Sequence, residues 1–183
     1  GLVLIGTSPV FRLHPKGLQP QLGRAILWTA APVSTSTGTE GTVGGTVPAT
    51  LSLSLGEPAS FGAFQPGVAQ TYTASTTARV VSTAGDATLV VTDPSTNAPG
   101  HLVNGEFFLP QPLQARARNA ANQGTAYNNV GSSASPLNLL TYDGPISNDQ
   151  VSLQFSQRIN ANDALRTGTY SKTLTFTLST TQP

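Results

Sequence analysis

The chain has 183 residues, of which nine are Lys or Arg and eight are Asp or Glu, so its formal net charge is +1. This near-balance offers no electrostatic footprint for nucleic acid or an anionic membrane, and we predict that the protein binds neither. Only 9% of the residues are charged, and there is no cysteine. A chain of this length can bury enough core to fold without disulfides.

The first 46 residues differ in composition from the rest of the chain. Residues 1–33 carry two apolar runs within Pro- and Gly-rich sequence, and this segment is too small to form a core of its own. We predict that these side chains are buried against another surface and form a subunit-assembly strand. The candidate residues for that strand are Leu2, Val3, Leu4, Ile5, Ile26, Leu27 and Trp28.

Residues 34–46, which include STSTGTEGTVGG, have the composition of a flexible linker. We therefore predict an N-terminal arm at 1–33, a linker at 34–46 and one folded domain at 47–183. No stretch approaches the ~20 apolar residues of a membrane-spanning helix, and residues 2–5 are too short for a signal peptide. The chain begins with Gly1 and not Met, from which we expect a processed product.

From Val47 onward the hydrophobic pattern has a period of two, which predicts β-strands and no helix. Strands are predicted at 51–55, 69–75, 78–83, 87–92, 113–118, 151–159 and 170–178, and a hairpin is predicted at Asn104-Gly105. Strands spaced in this way and separated by Gly and Pro are typical of a sandwich. The predicted fold is an all-β, immunoglobulin-like antiparallel β-sandwich with an N-terminal extension that resembles a donor strand. Its predicted core is lined by Leu51, Leu53, Val151, Leu153, Phe155, Leu174, Phe176 and Leu178.

The C-terminal sequence LRTGTYSKTLTFTL, at residues 165–178, resembles the last strand of WxL-like, spore-coat-U-like and pilin-like bacterial surface proteins. The region from Val47 to Thr180 also resembles an uncharacterised immunoglobulin-like module of secreted actinobacterial proteins. It does so through TVPATLSLSLG, STAGDATLVVTDPS, GHLVNG, LPQPLQ and DALRTGTYSKTLTFTLSTT. The resemblance implies secretion, a sandwich fold and a cell-surface setting, and it implies no known chemistry. The chain has no Trp-x-Leu tripeptide, so peptidoglycan anchoring is not implied.

Residues that could perform catalysis are few. His14 and His101 are the two histidines, and the chain has no nucleophile elbow, phosphate loop, dinucleotide motif or Cys/His cluster. We predict no enzymatic activity, no catalytic or metal site and no cofactor. Calcium remains an alternative, because oxygen-bearing side chains suit that ion and two loops contain several of them. These residues are Asp143, Asn148 and Asp149 in one loop, and Asn160, Asn162 and Asp163 in the other.

Lys172 falls on the inward face of the predicted last strand. The simpler interpretation is that it lies near a strand end and extends to water. The alternative is an isopeptide bond between Lys172 and an asparagine, with Glu106 as the carboxyl catalyst. Tyr127 and Tyr142 lie in loop-rich sequence and could stack on a sugar ring, whereas Tyr72 and Tyr170 fit core positions.

Sandwiches leave strand edges unpaired, and an apolar arm on a linker needs burial. Both requirements are met if the arm pairs with a neighbouring copy by β-augmentation. We therefore expect a structural subunit of a secreted filament, pilus or surface layer, a homopolymer on the cell surface. The alternatives are an arm that folds back on its own sandwich, and a monomeric adhesive or carbohydrate-binding module at the cell surface.

Overall fold

The computed structural model describes residues 37–182, and within that range the protein is all-β and has no helix. Eleven strands occur in this range, which confirms the prediction of at least seven. They are β1 (Leu51–Leu55), β2 (Gln70–Ser82), β3 (Ala87–Asp93), β4 (Val103–Asn104), β5 (Phe107–Phe108), β6 (Gln114–Arg118), β7 (Asn128–Asn129), β8 (Gly131–Ser132), β9 (Leu137–Tyr142), β10 (Ile146–Ile159) and β11 (Thr175–Ser179).

The larger sheet has five strands in the order β1-β2-β10-β6-β7, and every pairing within it is antiparallel. Strands β2 and β10 are its longest members, with 13 and 14 residues. They pair from Gln70 opposite Ile159 to Ser82 opposite Ile146, with a β-bulge between Ile146 and Asp149. Because side chains alternate across a strand, one face of this sheet is apolar and the other carries Ser, Thr, Gln and Arg.

The second sheet is organised around β3. Strand β11 pairs with one side of β3, and β9 pairs with β3 in the antiparallel sense, while β8 makes a short parallel pairing with it. The hairpin β4-β5 is separate, and its two-residue loop places Gly105 at a φ of 63°. A positive φ at the first loop position is what a tight hairpin of this length requires, and glycine adopts it without strain.

The two sheets face each other across one hydrophobic cluster, which confirms the immunoglobulin-like sandwich. Leu89 and Val91 from β3 are fully buried, as are Val80 from β2 and Val151 from β10. Of the predicted core residues, Val151, Leu153 and Phe155 are buried, and Leu53, Leu174, Phe176 and Leu178 are half-buried against the cluster.

Leu51 is 43% exposed, so its prediction as a core residue was wrong. The alternation along β1 does not reveal this exposure, because the pattern LSLSL is the same for a covered and an uncovered edge strand. Strand β1 is at the edge of its sheet, and both Leu51 and Leu55 remain largely in solvent. Edge position therefore decided the burial of these leucines.

The boundary between the N-terminal unit and the sandwich domain falls between Gly45 and Thr46. Residues 37–50 form no strand, and all of them are exposed. The assembly-strand candidates at residues 2–5 and 26–28 lie outside the described residues, as does His14. The arm therefore stays a prediction.

Candidate functional site

One half of β2 has a strand on both of its sides and the other half does not. Residues 78–82 pair with both β1 and β10, whereas residues 70–76 pair with β10 alone among the described strands. After Leu55 the chain leaves the sheet, and Gly56 makes the last backbone bond, donating its N–H to the carbonyl of Thr77 at 2.7 Å. Among the described strands, the edge of β2 from residue 70 to 76 thus has no second partner.

A groove with a volume of about 900 Å³ lies beside Leu55 and Gly56, and Thr76 is the residue of β2 that lines it. Residues 55–66 form one wall and residues 165–174, with Phe176, form the other, and we call this feature the edge groove. Core side chains line it as well, namely Leu102, Leu113 and Phe155. The edge groove therefore reaches the hydrophobic core of the sandwich.

Aromatic rings line the first wall of the edge groove. Phe61 and Phe64 have ring centroids 5.9 Å apart, and Phe64 meets Tyr72 edge to face at 4.9 Å. The Tyr72 hydroxyl accepts a hydrogen bond from the backbone N–H of Gln65 at 2.8 Å, which holds this wall against β2. Large rings in edge-to-face contact give this wall an apolar surface of defined shape.

The second wall belongs to the last strand and the segment before it. Strand β11 pairs only with β3 among the described strands, so its outer edge is also unpaired. Phe176 meets Phe155 edge to face at 6.4 Å, yet Phe176 and Leu174 are only half-buried. Residues that point toward the core but remain partly in solvent indicate that the core is incomplete on this side.

Lys172 anchors the second wall through a buried ion pair. Its ammonium lies 3.0 Å from the Asp93 carboxylate, and the two side chains are 3% and 0% exposed. The same ammonium donates to the Ser95 hydroxyl and to the carbonyls of Asn97 and Ala98. Asp93 in turn accepts N–H bonds from Ser95 and Gly100. A buried charge is tolerated only with such a set of partners.

The interpretation that Lys172 extends to water was wrong, because its side chain is buried and fully bonded. The inward orientation predicted from the alternation is correct. Glu106, by contrast, is exposed in the β4-β5 loop, and none of the contacts of the Lys172 ammonium is with it. The structure thus brings Lys172 to Asp93 and not to Glu106, and an isopeptide bond at Lys172 stays a prediction. Sequence reasoning missed Asp93, although its place as the last inward residue of a strand could have suggested it.

Several of the remaining candidates have structural partners. His101 Nδ1 is 2.7 Å from the carbonyl of Leu109, and its ring lies against Phe108 at 5.7 Å. Asp163 accepts the N–H of Asn160, as a turn-forming carboxylate does. Asp149 accepts hydrogen bonds from Tyr142 and Asn119. Within residues 37–182 no group of three acidic or histidine side chains is arranged to hold a metal ion.

The prediction that Tyr142 could stack on a sugar was wrong, because its ring is buried at the end of β9. Its hydroxyl donates to Asp149 at 2.9 Å, and burial, this hydrogen bond and the carboxylate charge raise the pKa of Tyr142. Tyr127 is half-buried, and the guanidinium of Arg116 lies 4.3 Å from its ring centroid. Stacking of Tyr127 on a sugar stays a prediction.

None of the described residues belongs to a helix long and apolar enough to cross a membrane. No family model matches the chain, and no curated protein matches it significantly. The resemblance to an actinobacterial-type module therefore stays a prediction. A solved structure of a chaperone-usher pilus is similar in fold, with 16% identity over 82% of this chain and 99% of that chain, and a TM-score of 0.35. A similarity of this size does not establish a shared function.

Proposed function

We propose that this protein is a non-enzymatic structural subunit of an extracellular filament, pilus or surface layer. Each copy would accept a strand from the N-terminal arm of a neighbouring copy in its edge groove. The observation that carries this proposal is the coincidence of an unpaired strand edge with an opening into the core. Backbone groups on the edge of β2 would pair with the incoming strand, while the groove would receive its alternate side chains.

The unpaired part of β2 has the length of one short strand. Among the described strands, seven residues of β2 lack a second partner strand, and an extended segment of that length spans about 23 Å. The apolar runs at residues 2–5 and 25–28 are each short enough to lie within it. Burying four to six large side chains would contribute about 6–18 kcal/mol before the cost of ordering the arm. Enough should remain for a durable contact.

Head-to-tail contacts of this kind build open chains, since each copy has one arm to donate and one groove to fill. The low charge of the chain supports the same reading, because a surface with 9% charged residues exerts little repulsion on its neighbours. Secretion and a cell-surface location belong to the proposal as well. An arm that docks in the groove of its own chain is the competing arrangement.

Deletion of residues 1–33 separates these arrangements. If the arm acts between copies, the truncated protein should be a folded monomer, and the full-length chain should form oligomers that grow with concentration in analytical ultracentrifugation. A synthetic peptide of residues 1–33 should then bind the truncated protein and block polymerisation. A truncated protein that is unfolded, or a full-length chain that stays monomeric at all concentrations, would contradict assembly in trans.

A matched pair of groove variants locates the contact. Leu174→Asp places a charge in the wall of the edge groove, whereas Thr175→Asp places the same charge on the exposed opposite side of the last strand. Peptide affinity should fall at least tenfold for the first variant and should change little for the second. Equal losses for the two variants would show that the peptide binds elsewhere.

A further inference from the structure

The positive charge of the sandwich is concentrated on one surface. Of the six Lys and Arg residues between positions 37 and 182, four lie on the outer face of the five-stranded sheet. We call this surface the arginine face, and it is formed by Arg79 on β2, Arg116 and Arg118 on β6 and Arg158 on β10. This concentration is hidden in the net charge of +1.

Strand alternation places all four guanidiniums on the same side of the sheet. Ala115 and Ala117 of β6 point into the core, so Arg116 and Arg118 point outward. Arg118 lies opposite Ser152, and Arg116 lies opposite Gln154. On the far side of β10, Ser152 lies opposite Thr77, Gln154 lies opposite Ser75 and Arg158 lies opposite Thr71 of β2.

These arginines donate hydrogen bonds to neutral acceptors, so their positive charge is not balanced by a carboxylate in these contacts. Arg116 donates to the Gln154 side chain at 2.7 Å, and Arg79 donates to the Asn148 side chain at 2.9 Å. Arg118 donates to main-chain carbonyls, including that of Thr125. Within residues 37–182 the one ion pair is that of Lys172 with Asp93, so no carboxylate lies within 4.0 Å of any of the four guanidiniums.

Arg158 completes the pattern. Its guanidinium donates to the Asn160 side chain at 3.2 Å and to the Thr71 hydroxyl at 3.4 Å. Arginines fixed by neutral acceptors are preorganised and keep both their full charge and unused N–H groups, which suit carboxylate, sulfate or phosphate. Around them, serine, threonine and glutamine side chains offer hydroxyl and amide groups that can bond to sugar hydroxyls.

We propose that the arginine face binds an anionic polysaccharide whose repeating units carry carboxylate, sulfate or phosphate groups. The charges are spread over three strands of the sheet, which matches a polymer with separated charges better than the dense phosphate backbone of a nucleic acid. Single-stranded nucleic acid also needs open aromatic faces for its bases. Tyr127, an aromatic residue beside the arginine face, has the guanidinium of Arg116 over its ring. This surface lies on the outer side of the sheet, away from the core-facing edge groove, so the inference does not depend on the proposed assembly.

The test measures binding of the full-length chain to three immobilised glycans: polygalacturonate, dextran sulfate and neutral dextran. A poly(dT) oligonucleotide is a fourth probe. We expect binding to one or both anionic glycans, weakening with salt, and no binding to neutral dextran. Polygalacturonate carries carboxylates and dextran sulfate carries sulfates, so a comparison of the two shows which anionic group the protein binds. Equal binding to neutral dextran, binding to poly(dT) alone, or binding to none of the four would overturn the proposal.

Charge-neutral variants assign the site. Arg79→Gln, Arg116→Gln, Arg118→Gln and Arg158→Gln should each lower the affinity about two- to fivefold, and the fourfold variant should abolish binding. Arg166→Gln is the matched charge control, because Arg166 lies over Phe107 in the wall of the edge groove and is not part of the five-stranded sheet. If the fourfold variant does not fold, the double variant Arg79→Gln/Arg158→Gln, which alters only exposed side chains, gives the same comparison. A loss with Arg166→Gln equal to that of the single face variants would overturn the assignment.

Discussion

The two halves of strand β2 have the same pattern of side chains but different surroundings. Where β1 covers the edge, Val80 and Ala78 are 0% and 1% exposed. Where none of the described strands covers it, Tyr72 and Ala74 are each 9% exposed. The same trend continues on β10, where Val151 lies opposite the closed half and is fully buried. Phe155 lies opposite the open half and is 6% exposed.

A sandwich can therefore be complete at one end and open at the other, although inward and outward side chains alternate in the same way at both ends. The closed half supplies the most deeply buried part of the core. The open half is where we propose that a strand from a neighbouring copy is added.

The ion pair beneath the second wall should give the largest loss. Lys172→Met leaves the buried Asp93 carboxylate without its charge partner, which should lower the free energy of unfolding by about 3–5 kcal/mol. Urea denaturation measures this loss. Asp93→Asn combined with Lys172→Met should recover part of it, because no uncompensated charge then remains. A single variant as stable as the wild type would contradict the buried pair.

Matched leucine truncations compare the two halves directly. Leu89→Ala removes a fully buried side chain and should cost about 2–5 kcal/mol, since a cavity remains in a closed core. Leu174→Ala removes a half-buried side chain from the edge groove and should cost only about 1 kcal/mol. If the peptide of residues 1–33 fills the groove, the second cost should rise in its presence. Equal costs without the peptide would show that the groove is closed in solution.

The two tyrosine hydroxyls give a smaller contrast. Tyr142→Phe leaves Asp149 without its buried donor, and we expect a loss of about 1–3 kcal/mol in the free energy of unfolding. Tyr72→Phe frees the N–H of Gln65 beside the open groove, where water can replace the hydroxyl, so the loss should be about 0.5–1 kcal/mol. Thermal unfolding of both variants at one pH measures this difference. A larger loss for Tyr72→Phe would contradict an open groove.

Asp86 should give the smallest effect, visible through pH. Hydrogen bonds from the Thr180 and Thr181 hydroxyls and the Gln182 N–H lower the pKa of Asp86 well below its usual range. Because the folded-state pKa is lowered, the stabilisation is present above the unfolded-state value of about 3.9 and is lost as pH falls below it. Asp86→Asn should therefore reduce the fall in stability between about pH 4 and pH 2. A variant whose stability falls as steeply as that of the wild type would contradict a stabilising role for the hydrogen bonds to Asp86.

Strand β9 shows where sequence reasoning failed. No strand was predicted at residues 137–142, yet Leu139, Leu140 and Tyr142 from this strand are buried in the core. The reason is a register shift in its pairing with β3, between Leu89 and Val90, which makes two adjacent leucines point inward. A bulge of this kind breaks the period of two on which the prediction relied.

The last strand shows a second limit. The sequence alternates from residue 170 to 178, but regular pairing with β3 begins only at Thr175. Before that point the chain crosses toward the small hairpin, where Ser171 bridges Val103. This departure from the sheet forms the second wall of the edge groove. Alternation reports which side chains point inward and cannot report which neighbour the backbone has.

The sequence alone determined the all-β class, the inward faces of β2, β6 and β10, and the hairpin at Gly105, because each follows from local periodicity or from the backbone freedom of one residue. It also determined that Lys172 points inward. Only the tertiary structure decided that Asp93 is its partner, that Leu51 is exposed and that four arginines share one face. These outcomes depend on residues that are distant in the chain and on which strand edges have a neighbouring strand. The local pattern of side chains contains no information on either point.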